Sequence, residues 1–235
     1  SLHDALPIFY ISTRAASPRL HFTGISLENP PSPPMFCMLL RKRITGGRLA
    51  GIRQEGLERA LYLDLDCLDE LGDVVRLTLA VEIMGRHSNV ILIDREGKIV
   101  DAVKRVDLEM SSVRPVLPGL HYAPPPAEAG RLDLSLCRPE DFMEALARGK
   151  DAPLERALLG CAHGLSPLVC REVAHLALRG RETLVSELTP EDRDRLVFFL
   201  SLIQETILTG ERRVPYMLMK PDGTPLDFSF FPITQ

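Results

Sequence analysis

Hydrophobic and polar residues alternate along most of the first half of the chain, which is the pattern of half-buried β-strands. In segment 59–66, for example, Leu61, Leu63 and Leu65 fall on one face. The same pattern predicts strands over 20–23, 48–54, 74–83, 89–94 and 99–105. Because the turn sequence Asp94-Arg-Glu-Gly-Lys98 joins the last two as a hairpin, we expect a largely antiparallel sheet.

One helix interrupts these strands. The run Asn29-Pro-Pro-Ser-Pro-Pro34 cannot be helical, and the apolar residues that follow it predict a helix over 35–44. The pair Gly46-Gly47 ends that helix, because glycine accepts the left-handed conformation common after a helix C-terminus.

The hydrophobic period changes to that of helices in the second half. Segment 115–126, rich in proline, is interpreted as a linker. After it we predict helices over 139–148, 153–162, 167–178 and 191–208. Ser166 precedes Pro167 and is expected to cap the third of them. Segments 214–219 and 226–230 then predict a closing hairpin that rejoins the sheet.

These elements indicate an α+β fold: a mainly antiparallel sheet domain over 9–126, a helical domain over 138–210, and a closing β-hairpin over 212–235. The octapeptide 1–8 resembles a translated sequencing adapter, so we exclude it and expect the chain to be a fragment, truncated at its start. No apolar run reaches the roughly 18 residues that cross a bilayer, so no membrane partner is expected.

Charge is spread unevenly along the chain. The net charge is −4, yet segment 36–59 carries +4, because its six basic residues outnumber the two acidic ones, Glu55 and Glu58. The basic residues are Arg41, Lys42, Arg43, Arg48, Arg53 and Arg59. A local basic surface on an acidic protein suits binding of a polyanion. A solvated helix end, with basic residues that complement the helix dipole, explains the same residues equally well.

Signatures of catalysis and of metal binding are missing. In His163-Gly-Leu-Ser166-Pro, Leu168 occupies the place where a nucleophile elbow needs its second glycine, so we predict no catalytic residue there. Cys161, His163, Cys170 and His175 match no spacing of a structural zinc site. We therefore expect no metal and no cofactor, and the five cysteines, with no C-x-x-C pair, are expected to be reduced cytoplasmic thiols.

A second unusual passage is Glu82-Ile-Met-Gly-Arg-His-Ser-Asn89. Gly85 permits a left-handed turn at the end of a buried strand, from which Arg86 and His87 would project toward a phosphate or a ribose. Alternatively, the polar residues of this loop cap the neighbouring strands.

Several ordered motifs resemble the NFACT family, the ribosome-quality-control factors that are also called fibronectin-binding protein A-like proteins. They are Asn29-Pro-Pro-Ser-Pro-Pro-Met-Phe-Cys-Met-Leu-Leu-Arg-Lys42, Gly46-Gly-Arg48, Gly56-Leu-Glu-Arg59, Asp69-Glu-Leu-Gly-Asp73, Val81-Glu-Ile-Met-Gly-Arg-His-Ser-Asn89, Val116-Leu-Pro-Gly119, Tyr122, Pro124-Pro125, Gly164-Leu-Ser-Pro167 and Asp227-Phe-Ser229. The resemblance extends from about His21 to Gln235.

The resemblance implies a non-enzymatic function. Family members bind a large ribosomal subunit that holds peptidyl-tRNA, and they recruit aminoacylated tRNA (alanyl-tRNA in bacteria) for template-free C-terminal tailing. It also implies a sheet domain similar to the N-terminal domain of formamidopyrimidine-DNA glycosylases, followed by a helix-hairpin-helix-type domain. The coiled coil that follows in the family lies outside this sequence.

The resemblance also implies a set of RNA-binding residues. The family's tRNA-contacting Asp-Arg pair falls on Glu58 and Arg59, with glutamate in place of aspartate. A second functional stretch falls on Glu82, Ile83 and Met84, with Arg86 and His87 beside it. We add Arg41 and Lys42 from the basic segment.

Two other functions compete with this interpretation. A DNA glycosylase-like enzyme is suggested only by the similarity of fold. A surface adhesin that binds fibronectin is suggested only by the older family name, and nothing in the sequence indicates export.

Overall fold

The computed structural model describes residues 8–111, 114–126 and 129–235. Residues 1–7 of the octapeptide interpreted as adapter lie outside that range. The chain divides into two compact units, and each is described separately. The sheet unit contains the residues up to Glu55 and Arg59–Pro126, and the helical unit contains Gly56–Glu58 and the chain after Pro126.

The sheet unit begins with a hairpin and a helix. Strands β1 (Ile8–Ser12) and β2 (Arg19–Thr23) pair antiparallel, and helix α1 spans Met35–Ile44. The predicted bounds of α1 are confirmed: Gly46 follows the helix with φ +77°, a conformation that favours glycine. Strand β2 was predicted at 20–23, and β1 was not predicted.

A five-stranded antiparallel sheet follows, in the order in which its strands occur along the chain. Its strands are β3 (Arg48–Arg53), β4 (Ala60–Leu68), β5 (Val74–Glu82), β6 (Asn89–Ile93) and β7 (Ile99–Ala102). All five lie within two residues of their predicted starts. The antiparallel sheet is therefore confirmed.

The two faces of the sheet bury different clusters. Alternate residues of β4 and β5, with Leu63 opposite Leu79, form one core together with β6, and α1 packs against it. Ala80, Ile91 and Ile99 form the core of the opposite face. The strand period of two thus places Glu82, two residues after Ala80, on this second face.

Segment 115–126 packs on the sheet through backbone hydrogen bonds. The interpretation of this segment as a linker is therefore wrong. The amide of Ile99 donates to the carbonyl of Leu120 at 2.8 Å, and the amide of Tyr122 donates to the carbonyl of Gly97 at 2.9 Å. The prolines exclude helix and regular strand, but they leave enough amides to pair with β7.

The helical unit contains all four predicted helices. After strand β8 (Leu132–Asp133) come α2 (Asp141–Arg148), α3 (Leu154–Cys161), strand β9 (Ala162–His163), α4 (Pro167–Leu178) and α5 (Pro190–Thr209). Ser166 caps α4 as predicted, because its hydroxyl accepts from the amide of Val169 at 3.2 Å. Cys170 lies buried on the apolar side of α4 with Val173 and Ala177.

The closing hairpin does not rejoin the sheet, and that part of the prediction is wrong. Within the part of the chain that the structure describes, strands β10 (Tyr216–Met219) and β11 (Pro225–Ser229) pair only with each other. The chain beyond them is held by the helical unit. Phe231 is buried in the helical core, and the hydroxyl of Thr234 donates to Glu172 of α4 at 2.5 Å.

Candidate nucleic-acid interface

The turn after β5 exposes two of the predicted RNA-binding side chains. Residues Gly85–His87 form a short 3-10 turn in which Gly85 has φ +54°. The hydroxyl of Ser88 closes it by donating to the carbonyl of Gly85 and accepting from the amide of Met84, both at 2.8 Å. Since Ser88 is buried and Arg86 and His87 are exposed, the turn presents a cation and an imidazole on a fixed backbone.

Arg59 lies beside the start of the same turn. The amide of Ile83 donates to the carbonyl of Arg59 at 2.8 Å, and Ala60 is directly opposite Glu82 in the β4–β5 register. The sheet therefore brings together two motifs that are more than twenty residues apart in sequence. Arg59 is exposed, and among the described residues no carboxylate pairs with it.

Glu82 is fully buried and does not face solvent. Its carboxylate accepts from both terminal nitrogens of Arg114, at 2.8 and 2.6 Å, and from the hydroxyl of Tyr122 at 2.8 Å. Arg114 also donates to the carbonyl of Ala123 at 2.8 Å. Glu82 thus ties the end of β5 to the segment that packs on β7, and its geometry is that of a support for the turn.

The ionisation of this network follows from its surroundings. Burial alone would lower the pKa of Arg114, but the Glu82 carboxylate outweighs burial and raises it above the ordinary value. Burial, with the nearby Glu82 charge, raises the pKa of Tyr122 far above its ordinary value. Arg114 therefore stays charged and Tyr122 stays a neutral donor, and its hydroxyl lies 3.2 Å from that of Tyr62.

Lys104 is a further cation at the turn. Its ammonium donates to the carbonyl of Arg86 at 3.3 Å and to that of Thr13 at 3.0 Å. Its backbone is fixed by Asn89, whose amide side chain exchanges two hydrogen bonds with Lys104 at 2.8 and 2.9 Å. Lys104 thus helps to hold the backbone carbonyl of Arg86 in place.

The basic segment is partly neutralised by carboxylates of β4 and of the turn that follows it. Arg53 donates to Asp64 at 2.7 and 3.0 Å, Arg48 pairs with Asp66 at 3.0 Å, and Lys42 pairs with Glu70 at 2.7 Å. The hydrogen bond from Arg53 holds the pKa of Asp64 below its ordinary value. The positive charge available to a ligand is therefore smaller than the sequence suggested.

Two basic residues of α1 stay exposed without such a partner. Within the described ranges no carboxylate lies in ion-pair distance of Arg41 or Arg43. The Arg41 guanidinium contacts only the sulfur of Met38, at 3.9 Å, among the described hydrogen-bonding atoms. Of the two α1 residues predicted to bind RNA, Arg41 is available and Lys42 is occupied by Glu70.

Glu58 belongs to the helical unit and not to the sheet unit that contains Arg59. Its carboxylate lies 3.2 Å from Nε2 of His163. Sequence reasoning included neither His163 nor Arg114, Tyr122 and Lys104 among the functional residues. One signal was present in the sequence: Arg114 lies two residues before the Val116–Gly119 motif.

Residues 6–235 match the family model described as NFACT N-terminal and middle domains. The chain belongs to this family. It is 40% identical over 168 residues to the protein named Rqc2 homolog RqcH of Bacillus subtilis. The aligned residues cover 71% of this chain and 29% of that protein. It is 38% identical over 144 residues to the Rqc2 homolog RqcH of Streptococcus suis, covering 61% of this chain and 26% of the relative.

Solved structures agree with the family assignment. The N-terminal part of the fibronectin/fibrinogen-binding protein of Streptococcus suis superposes with a TM-score of 0.72 at 28% identity, covering 95% of this chain and 73% of that one. The fibrinogen-binding protein of Staphylococcus aureus gives a TM-score of 0.74 at 25% identity, with coverage of 97% and 75%. The NFACT chain thus spans less than a third of the length of its RqcH relatives.

The structure bears on three other features of the sequence: metal binding, the cysteine thiols and membrane spans. Among the described residues, no three His, Cys, Asp or Glu side chains are grouped so that they could hold a metal ion. Burial raises the pKa of Cys161 to about 11 and that of Cys170 to about 12, so both thiols are protonated at neutral pH. No helix of the described chain is both long enough and apolar enough to cross a bilayer.

Proposed function

We propose that this NFACT chain binds tRNA as the N-terminal part of an Rqc2-like factor of ribosome quality control. The observation that carries the proposal is the hydrogen bond between the Ile83 amide and the Arg59 carbonyl. It joins Arg59 to the turn that exposes Arg86 and His87, so that two arginines and an imidazole lie where β4 begins and β5 ends.

The proposed contacts are with the tRNA backbone and with unpaired bases. Guanidinium groups bind phosphate through charge-assisted, bidentate hydrogen bonds, and imidazole stacks on bases or donates to ribose. Phosphate contacts fix the position of a nucleic acid, whereas contacts to base edges select it. Positioning of tRNA, without a chemical step on this protein, is the role that these groups suit.

The activity of the whole protein belongs to the same proposal. We propose that the full-length protein binds a large ribosomal subunit that holds peptidyl-tRNA, and recruits alanyl-tRNA for template-free tailing in the cytoplasm. The relatives named Rqc2 homolog RqcH support this. The peptide bonds would be made by the ribosome, so the protein itself would not be an enzyme.

The deciding experiment measures tRNA affinity of the full-length protein and of its Arg59→Ala variant. Arg59→Ala should weaken binding at least tenfold, because a charge-assisted contact to phosphate is lost. An Arg76→Ala variant is the control, since Arg76 is already engaged by Asp66 at 2.6 Å on the same sheet. Equal affinity of the Arg59→Ala variant and the wild type would remove the proposal.

Binding of fibronectin or fibrinogen is a second candidate, favoured by the names of the two structural relatives. The hairpin of β10 and β11 exposes Met217 and Phe228, which are opposite each other in register, and such a pair suits contact with another protein. Met217→Ser together with Phe228→Ser should abolish fibronectin binding if this candidate is correct, and should leave tRNA affinity unchanged.

A further inference from the structure

Asp133 and His163 lie side by side in the helical unit. They are the second residues of β8 and β9, which pair parallel with Leu132 opposite Ala162 and Asp133 opposite His163. Both side chains reach the three-residue segment Gly56–Glu58, which belongs to the same compact unit although it is more than seventy residues away in sequence.

Asp133 binds the backbone of this segment. One carboxylate oxygen accepts from the amide and the hydroxyl of Ser135, at 2.8 and 2.6 Å, and the other accepts from the amide of Leu57 at 2.7 Å. Because Ser135 fixes the first oxygen, the second has one orientation. The Leu57 backbone is therefore held at a defined place.

Two glycines let the segment approach this closely. A Cβ atom on Gly56 would lie 2.2 Å from the Asp133 carboxylate, and one on Gly164 would lie 2.3 Å from Cβ of Leu57. Both have positive φ, +49° and +78°. A larger residue at Gly56 or Gly164 would push the 56–58 segment away from Asp133 and His163. The observed position of Leu57 therefore requires glycine at both places.

His163 faces the side chain of Glu58, the residue that follows Leu57. Its Nε2 atom is buried and lies 3.2 Å from Oε1 of Glu58, with alignment poorer than that of a good hydrogen bond. The two side chains are 19% and 30% exposed, so the pair is shielded from water while part of the Glu58 side chain stays accessible. Shielding strengthens the attraction between the carboxylate and an imidazole N–H.

We propose that Asp133 and His163 are positioning residues for Glu58. Asp133 fixes the backbone at Leu57, and His163 restricts the flexible glutamate side chain to the rotamer in which its carboxylate takes part in tRNA binding. The inference rests on the proposed function, since tRNA is the ligand. Because the glutamate side chain is already ordered in the free protein, tRNA binding does not incur the entropic penalty of ordering it.

The first experiment is a double-mutant cycle in the full-length protein with a purified alanine tRNA as the probe. His163→Leu should weaken tRNA binding about tenfold, because the Glu58 carboxylate loses the shielded imidazole that lies 3.2 Å from it. His163→Gln keeps an N–H donor and should restore affinity to within about threefold. In a Glu58→Gln background, His163→Leu should add less than a twofold loss, since the group that it orients has lost its charge.

Additive losses from His163→Leu and Glu58→Gln would overturn the proposal. A His163→Gln variant that binds tRNA as weakly as His163→Leu would also overturn the proposal. That result would show that His163 acts through packing, because a hydrogen-bond donor at this position would not restore affinity. Melting temperatures of all variants are measured in parallel, and the comparison is made at a temperature at which each of them is folded.

The second experiment tests Asp133 against a matched control. Asp133→Ala should weaken tRNA binding severalfold, whereas Asp151→Ala should not. Asp151 is also a carboxylate of the helical unit that accepts from a distant backbone amide, that of Ser186 at 3.0 Å, but it does not hold Glu58. Asp133→Asn keeps one oxygen that can accept a hydrogen bond, so its tRNA affinity should lie between those of Asp133→Ala and the wild type.

The Arg59→Ala variant separates the two proposals. If Arg59→Ala weakens tRNA binding and the Asp133 and His163 variants do not, only the positioning role is wrong. If Arg59→Ala has no effect, the proposed function itself is wrong.

Discussion

Arg114 forms a bidentate ion pair with Glu82, and both side chains are removed from solvent: Glu82 is 0% exposed and Arg114 15%. Glu82, which was predicted to belong to an RNA-binding stretch, is therefore the buried partner of a salt bridge. Arg114 lies in the irregular segment beside β7, so the pair links that segment to the end of β5, from which the Gly85–His87 turn emerges.

Removal of Arg114 should destabilise the sheet unit strongly. Arg114→Ala leaves the Glu82 carboxylate buried without a cation, which costs about 3–5 kcal/mol. Arg105→Ala is the control, because Arg105 makes an equally bidentate pair with Asp101 at 2.9 and 2.9 Å on the surface, where such pairs contribute at most about 1 kcal/mol. Urea denaturation of both variants measures the difference, and similar losses would contradict the burial argument.

Arg86→Ala should weaken tRNA binding about tenfold while the melting temperature changes little. Arg86 is exposed, and exposed substitutions usually change stability by less than about 0.5 kcal/mol. Arg95→Ala is the control, since Arg95 occupies the exposed turn at the other end of β6. A fall of several degrees in the melting temperature would show that Arg86 is structural.

Salt should weaken tRNA binding steeply, because the proposed contacts are mostly between arginine and phosphate. Arg41→Gln should reduce the slope of log affinity against log salt by about 0.7–0.9. Arg53→Gln should leave it nearly unchanged, since Asp64 already neutralises Arg53. The measurement is a binding series from low to moderate salt with the full-length protein, and equal slopes for the two variants would remove α1 from the interface.

Acid should destabilise the helical unit through Asp192. Burial acts to raise the pKa of Asp192, but hydrogen bonds from Arg181 and Thr189 outweigh it and lower the pKa to about 2. Since the folded pKa lies below the unfolded value of about 3.9, the contribution of about 2 kcal/mol is complete above pH 4 and is lost as the pH falls toward 2. Asp192→Asn should flatten the stability curve of the helical unit between pH 4 and 2, and an unchanged curve would refute this assignment.

Local signals were enough for the elements whose ends are set by nearby residues. The bounds of α1 and α4 follow from Pro34, Gly46, Ser166 and Pro167, because proline and glycine fix backbone angles and a serine hydroxyl satisfies a terminal amide. The two-residue strands β8 and β9 could not be predicted, because each exists only through its pairing with the other, thirty residues away.

The partners of the charged residues were decided by tertiary structure. The sequence identified Arg48 and Arg53 as part of a basic segment, but the β3–β4 register brings them to Asp66 and Asp64. In the same way the sequence located Glu82 in a functional motif, while the packing of a distant segment supplied Arg114 and buried the carboxylate.

The sheet, the helices, the family and two candidate RNA-binding stretches could all be predicted from the sequence, because hydrophobic period, turn residues and ordered motifs are local. Which of those side chains reach solvent and which are bound internally depends on the folded packing. Burial and ion pairing depend on neighbours that the fold brings from other parts of the chain, as it brings His163 to the Glu58 carboxylate and Asp133 to the Leu57 amide.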